Sequence, residues 1–185
     1  MPRRWWFVGV SGSGKTSYAR RLAELLDVPH HELDASYHQP HWEPLAPDLF
    51  RERAREFVAA DGWTIDGNYR VVRSIVASRA QVVVGFDLPR PVVMRQIIAR
   101  TLLRGVRGTE LWNGNREQLR NALRWDEKSM IWWTWNYYYP HRERMDWLER
   151  IVTAEGIPFV RVHSHREARE RLGQLAGVDP SHFLG

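Results

Sequence analysis

A chain of 185 residues, 43% hydrophobic and 26% charged, is sized for one domain with room for a small insertion, and it is apolar enough to build a core. It has no cysteine, which excludes disulfides, thiolate zinc sites and cysteine nucleophiles. Its longest apolar run, Trp5 to Val10, is six residues, far short of the ~20 of a membrane helix and of the roughly 7–15 of a signal-peptide core, so the cytosol is the expected compartment and no membrane contact is expected. The net charge is +5, and all basic residues but Lys15 and Lys128 are arginine. That balance suits forked contacts with phosphate or carboxylate groups and leaves nucleic acid open as a partner.

In chain order, Trp5 to Val10 reads as a strand ending in glycines. Lys15 to Asp27 reads as a helix, with Ala19, Leu22, Ala23 and Leu26 at helical spacing. His30 to Asp34 is a short strand. Pro47 opens a helix that stops at Asp61-Gly62. Trp63 to Asp66 is a strand, and Gln81 to Leu88 a fully buried one. Pro91 starts a helix to about Arg104, followed by a glycine-punctuated stretch from Gly105 to Asn115 and a long helical region to about Ala154. Pro158 to His163 and Arg166 to Ala176 close the chain as strand and helix. Strands alternating with helices predict an α/β three-layer sandwich around a parallel sheet of about five strands. The strandless block 100–154 is then a helical insertion.

Gly9-Val10-Ser11-Gly12-Ser13-Gly14-Lys15-Thr16 satisfies G-x-x-x-x-G-K-[ST] between a strand and a helix. The glycines let backbone N–H groups curl toward phosphate oxygens at the positive end of the next helix. The lysine reaches the β- and γ-phosphates, and the threonine hydroxyl ligates Mg²⁺. A chance match in a chain of this composition is expected on the order of once in a thousand. Gly9, Ser11, Gly12, Ser13, Gly14, Lys15, Thr16 and Ser17 are therefore the expected cradle of a nucleoside triphosphate.

With that loop placed, the chain resembles the nucleoside-monophosphate-kinase-like branch of P-loop proteins. More closely, the chain resembles the adenylate-kinase-related bacterial group known as DNA topology modulation proteins. The resemblance covers nearly the whole chain. It rests on the P-loop, Leu33-Asp34, the segment Trp63 to Arg70, Phe86 to Pro91 and Glu110 to Arg116. It implies ATP and Mg²⁺ as cofactors, an acceptor region at about 35–61 and a helical lid at about 100–154. Asp66, ending a strand, is placed on the magnesium side with Thr16. Arg70 stands where adenylate kinases carry the arginine that grips the acceptor phosphate, but Asn68 and Tyr69 depart from their pattern. Asp34 matches a carboxylate of the shikimate- and gluconate-type kinases that lies near metal and acceptor hydroxyl. Tyr37, His38 and Trp42 fall in the acceptor region, and Arg100 and Arg104 fit the R-x-x-x-R pair that opens the lid, with Arg107 beyond it.

Each has a plainer reading. Asp66 could be a turn carboxylate and Asp34 a helix cap. Arg116, Arg120 and Arg124 form a second basic stripe that reads best as a solvated helix face. The aromatic run Trp132 to Tyr139 surrounds all sides of a helix, which favours packing over base stacking. Asp87 reads as structural. The leading reading is a kinase moving the γ-phosphoryl group of ATP to a small acceptor, either a nucleoside monophosphate or an alcohol metabolite, with Lys15, Asp34, Arg100 and Arg104 as machinery. Asp34, Tyr37, Trp42, Asn68 and Arg70 would be its acceptor contacts. The competing reading is a nucleic-acid-associated NTPase, although no nucleic-acid-binding signature is visible. Oligomeric state is not legible.

Overall fold

The computed structural model describes residues 1–115, 126 and 129–183. The elements run β1 (Arg4–Gly9), α1 (Lys15–Leu26), β2 (His30–Glu32), α2 (Leu33–Tyr37), α3 (Pro47–Val58), β3 (Trp63–Asp66), α4 (Arg73–Ala77), β4 (Val82–Phe86), α5 (Arg90–Arg107), α6 (Met130–Ala154), β5 (Phe159–Val162) and α7 (His165–Ala176). The described strands form one five-stranded sheet in the order β2-β3-β1-β4-β5, and every pairing is parallel.

Because side chains alternate across a strand, β1 sends Trp5 and Phe7 to one face and Trp6 and Val8 to the other. Trp5 and Phe7 pack with Val82, Val84 and Phe86 of β4 against Leu22 of α1 and Leu172 of α7. Trp6 and Val8 pack with Ile65 and Val83 against Phe50 of α3, Val76 of α4 and Leu148 of α6. Both faces are covered, which explains why the central strands read as unbroken apolar runs. The fully buried indoles keep their N–H groups satisfied: Trp5 donates to the Pro2 carbonyl, Trp6 to that of Gly67 and Trp63 to that of Val58.

The strands and most major helices lie where the sequence predicts them, within a few residues; of the long helical region expected up to about Ala154, helix is described from Met130, Ser129 is extended, and residues 116–125 and 127–128 lie outside the described residues. Three features differ. The strand expected from His30 to Asp34 stops at Glu32, and Asp34 lies in the first turn of α2. Helix α5 continues through Gly105 to Arg107. Between Asp66 and Gln81, where the sequence predicts no element, Val72 and Val76 bury the short helix α4 against the core. Helix α6 accommodates Pro140 in its interior. No helix among the described residues is long and apolar enough to cross a membrane.

Candidate active site

The carboxyl ends of β1 and β3 are where an open parallel sheet binds ligands, and the loop from Gly9 to Thr16 starts there. Gly14 is the N-cap of α1 with φ 86°, and no side chain caps the helix. The first-turn N–H groups of a twelve-residue helix are thus left for a ligand at its positive end. Gly12 has φ 83°, and a Cβ there would stand 3.0 Å from the Ile97 Cβ and 3.1 Å from the Val93 carbonyl oxygen. The loop therefore lies directly on α5. A Cβ on Gly9 would lie 2.8 Å from the Ser13 hydroxyl. Ser13 donates its N–H to the Val10 carbonyl, closing the turn, and its buried hydroxyl has no hydrogen-bond partner among the described residues. Ser11 accepts a 2.8 Å bond from the Arg100 guanidinium, so one expected lid arginine reaches the loop. Ser17 is exposed on α1.

Thr16 donates its hydroxyl to Asp66 Oδ2. Asp66 is 4% exposed, and its Oδ1 has no hydrogen-bond partner among the described residues. Burial pushes this carboxyl up to about 6, against the pull of Lys15 and the Thr16 bond. The Nε2 atom of His30 lies 3.9 Å from Oδ1. The Thr64 hydroxyl donates to the Ala19 carbonyl, so it accepts from His30 Nδ1 at 2.8 Å, which makes Nε2 the unprotonated nitrogen of the neutral ring. Burial holds that imidazole down to about 4. A carboxylate with an orphaned oxygen beside a threonine hydroxyl is a donor set suited to a hard divalent cation such as Mg²⁺.

Asp34 accepts a 2.5 Å bond from the Tyr69 hydroxyl at Oδ1. The His38 Nε2 lies 3.5 Å from the same hydroxyl. Tyr37 packs on Tyr69 with ring centroids 4.6 Å apart. Trp42, 41% exposed, turns through φ 63° and meets His38 edge-on at 5.3 Å. A segment from the far side of the chain clasps this region. The Trp112 indole donates to Glu32 and stacks on His38, and the Asn113 amide donates to the Ala35 and His38 carbonyls. Buried Asn115 accepts from the Trp42 N–H and donates to the Gln39 carbonyl. Asn68 instead accepts from Arg73, whose guanidinium lies over the Trp147 ring at 4.8 Å. Arg70, next to Tyr69 in the chain, is exposed.

Arg104 lies one turn beyond Arg100 on α5, near its end at Gly108. Arg116, Arg120, Arg124 and the side chain of Arg107 lie outside the described residues. The aromatic run splits by face. Tyr138 is buried and donates to the Leu88 carbonyl, Trp135 and Tyr139 clamp Arg90, and Trp133 stacks on Tyr137 at 4.8 Å. Further along α6, burial and the charges of Lys15 and Arg144 hold His141 down to about 4. Asp87 is buried against Arg142 at 2.7 Å and Arg161 at 3.5 Å, a tie between sheet and α6. Sequence reasoning missed His141 as a neighbour of Lys15, the Tyr69–Asp34 bond and the Asn115 clasp. None has a local spacing signal.

No family model and no curated protein matches the chain by sequence. Among solved structures, the fold is similar to shikimate kinase from Bacteroides thetaiotaomicron at TM-score 0.58 and 14% identity, over 95% of this chain and 98% of that one. It is similar to shikimate kinase from Acinetobacter baumannii in complex with shikimate at TM-score 0.54 and 17% identity, over 95% and 90%. A gluconokinase from Sinorhizobium meliloti 1021 matches at TM-score 0.51 and 20% identity, over 95% and 94%. These likenesses are of fold.

Proposed function

We propose that the chain is an ATP-dependent kinase that phosphorylates a hydroxyl of a small molecule. One observation carries the reading. A P-loop whose Thr16 meets Asp66, a carboxyl that burial above all pushes up to about 6, shares its end of the sheet with a second carboxylate, Asp34, whose charge after that of Glu32 adds to the rise. The fold likeness to shikimate kinase and gluconokinase, whose names state small-molecule acceptors, supports it. So does the motif resemblance to the adenylate-kinase-related group, which concerns the same nucleotide site.

In this reading the loop N–H groups and Lys15 hold the phosphates, while Thr16 and Asp66 hold Mg²⁺. The bound ion would neutralise charge on the β- and γ-phosphate oxygens. The acceptor region is 35–61 and the lid 100–154, with Arg100 and Arg104 balancing charge that grows as the site closes. As the acceptor oxygen bonds to the γ-phosphorus and the bridging oxygen departs with its electron pair on ADP, Asp34 takes the acceptor proton. Tyr37 and Trp42 flank the acceptor, and Asn68 and Arg70 border it. The side chains converging beside Asp34 include Tyr37, His38 and Tyr69. A carboxylate there repels a phosphate monoester and orients a hydroxyl, which favours an alcohol over a nucleoside monophosphate.

The test is ADP release from Mg-ATP with shikimate, D-gluconate, other polyols or AMP, in the parent and in Lys15→Ala. Stimulation by a polyol and not by AMP, lost in Lys15→Ala, is expected. Undiminished turnover in Lys15→Ala, or stimulation by AMP alone, refutes the reading.

A further inference from the structure

We infer that Tyr69 is a positioning residue that holds Asp34 by one carboxylate oxygen and presents the other to the acceptor hydroxyl. This rests on the role just given to Asp34. The contact joins residues 35 positions apart on different elements, at 2.5 Å. Tyr69 follows the Asp66-Gly67 turn, so four consecutive residues supply both the magnesium-side carboxylate and the hold on the acceptor-side one.

The ring cannot swing. Phe50 meets it edge-on at 5.3 Å and Tyr37 packs on it at 4.6 Å, which fixes where the phenol oxygen stands. Phenylalanine would fill this space equally well, so packing does not explain the hydroxyl. Its proton goes to a carboxylate rather than to a backbone carbonyl. Burial first, then the nearby Asp34 carboxylate, push the phenol above its usual range, so it stays a donor wherever the enzyme works. Oδ2 of Asp34 has no partner among the described residues. The titratable groups around Asp34 are Tyr37 of α2, His38 just past its end, Asp66 of β3 and Tyr69 itself. A carboxylate beside Asp66 would otherwise rotate away from its neighbour's charge. A hydrogen bond to one oxygen keeps the other in register with the acceptor.

The experiment compares the parent, Tyr69→Phe, Asp34→Asn and the double variant. Mg-ATP affinity is measured by calorimetry, and ADP release with water, shikimate or D-gluconate as acceptor. Carbon-13 NMR of labelled aspartate carboxyls follows the Asp34 carboxyl resonance at fixed pH. Tyr69→Phe should leave ATP affinity unchanged and lower kcat about tenfold. The double variant should be no slower than Asp34→Asn alone. Losing a donor to the carboxylate should move the Asp34 carboxyl resonance at fixed pH while the other aspartate resonances stay in place, a change that lost packing alone would not confine to Asp34. Multiplicative effects of the two changes, or an unmoved Asp34 resonance, overturn the inference. If Tyr69→Phe does not fold, 3-fluorotyrosine incorporated at Tyr69 replaces it. Its fluorine signal should move on Asp34→Asn, and an unmoved signal is equally fatal. If turnover survives Lys15→Ala the kinase reading fails, while the carboxyl resonance still decides whether Tyr69 holds Asp34.

Discussion

Replacing His141 with glutamine should flatten the acid side of the stability curve. Burial, then Lys15 and Arg144, hold this imidazole at about 4 against an ordinary 6.5. A histidine whose folded pKa is depressed takes its proton first in the unfolded chain. Its contribution is therefore complete above 6.5 and is lost as pH falls toward 4. With these two values, acidification from pH 7.5 to 5 removes about 2 kcal/mol for one histidine. His30, also held near 4, removes a similar amount. Asp66, pushed up to about 6, acts in the opposite direction, because its native form binds a proton that the unfolded chain releases, and returns about 1 kcal/mol. The three groups together take about 3 kcal/mol from the parent over this interval, and about 1 kcal/mol from His141→Gln. The assay is urea denaturation followed by circular dichroism at both pH values, with chelator and without nucleotide. Equal losses in parent and variant would show that His141 is not the desolvated neighbour of Lys15 described above.

Asn115→Ala removes the amide that accepts from the Trp42 N–H and donates to the Gln39 carbonyl, while the Trp42 N–H keeps its 3.1 Å bond to that carbonyl. It should cost about 1 kcal/mol and raise the acceptor KM with ATP affinity unchanged, as read by thermal melts and initial rates. Arg100→Gln, which breaks the bond to Ser11, should lower kcat by about 10²-fold or more and ATP affinity far less, since the charge it balances matures during transfer. In magnesium titrations of turnover, Asp66→Asn should raise the ion concentration needed, while Asp34→Asn should lower kcat at unchanged magnesium dependence. Identical curves for both would refute the separate roles of the two carboxylates.

The sequence by itself determined what local physics encodes. The order and spacing of Gly12, Gly14, Lys15 and Thr16 dictate a phosphate-type loop wherever they occur between strand and helix. Pro47 and Pro91 start α3 and α5 because a helix does not need their missing N–H at that point. The run Val82 to Phe86 is apolar on both faces, which a doubly covered parallel strand requires. Asp66 was legible for the same reason: it is the polar residue that ends such a strand. Less was legible where a competing local choice was close. Residues 33–37 close a helical turn instead of extending β2, and residues 73–77 form a helix too short for periodicity to reveal. Only the tertiary structure decided that β1 lies between β3 and β4, that Tyr69 reaches Asp34, that Asn115 pins Trp42, and that His141 comes to rest beside Lys15, 126 positions away. Those contacts depend on how each connection crosses the sheet and which face its helix buries. That choice is made by packing of the whole core, and no window of neighbouring residues contains it.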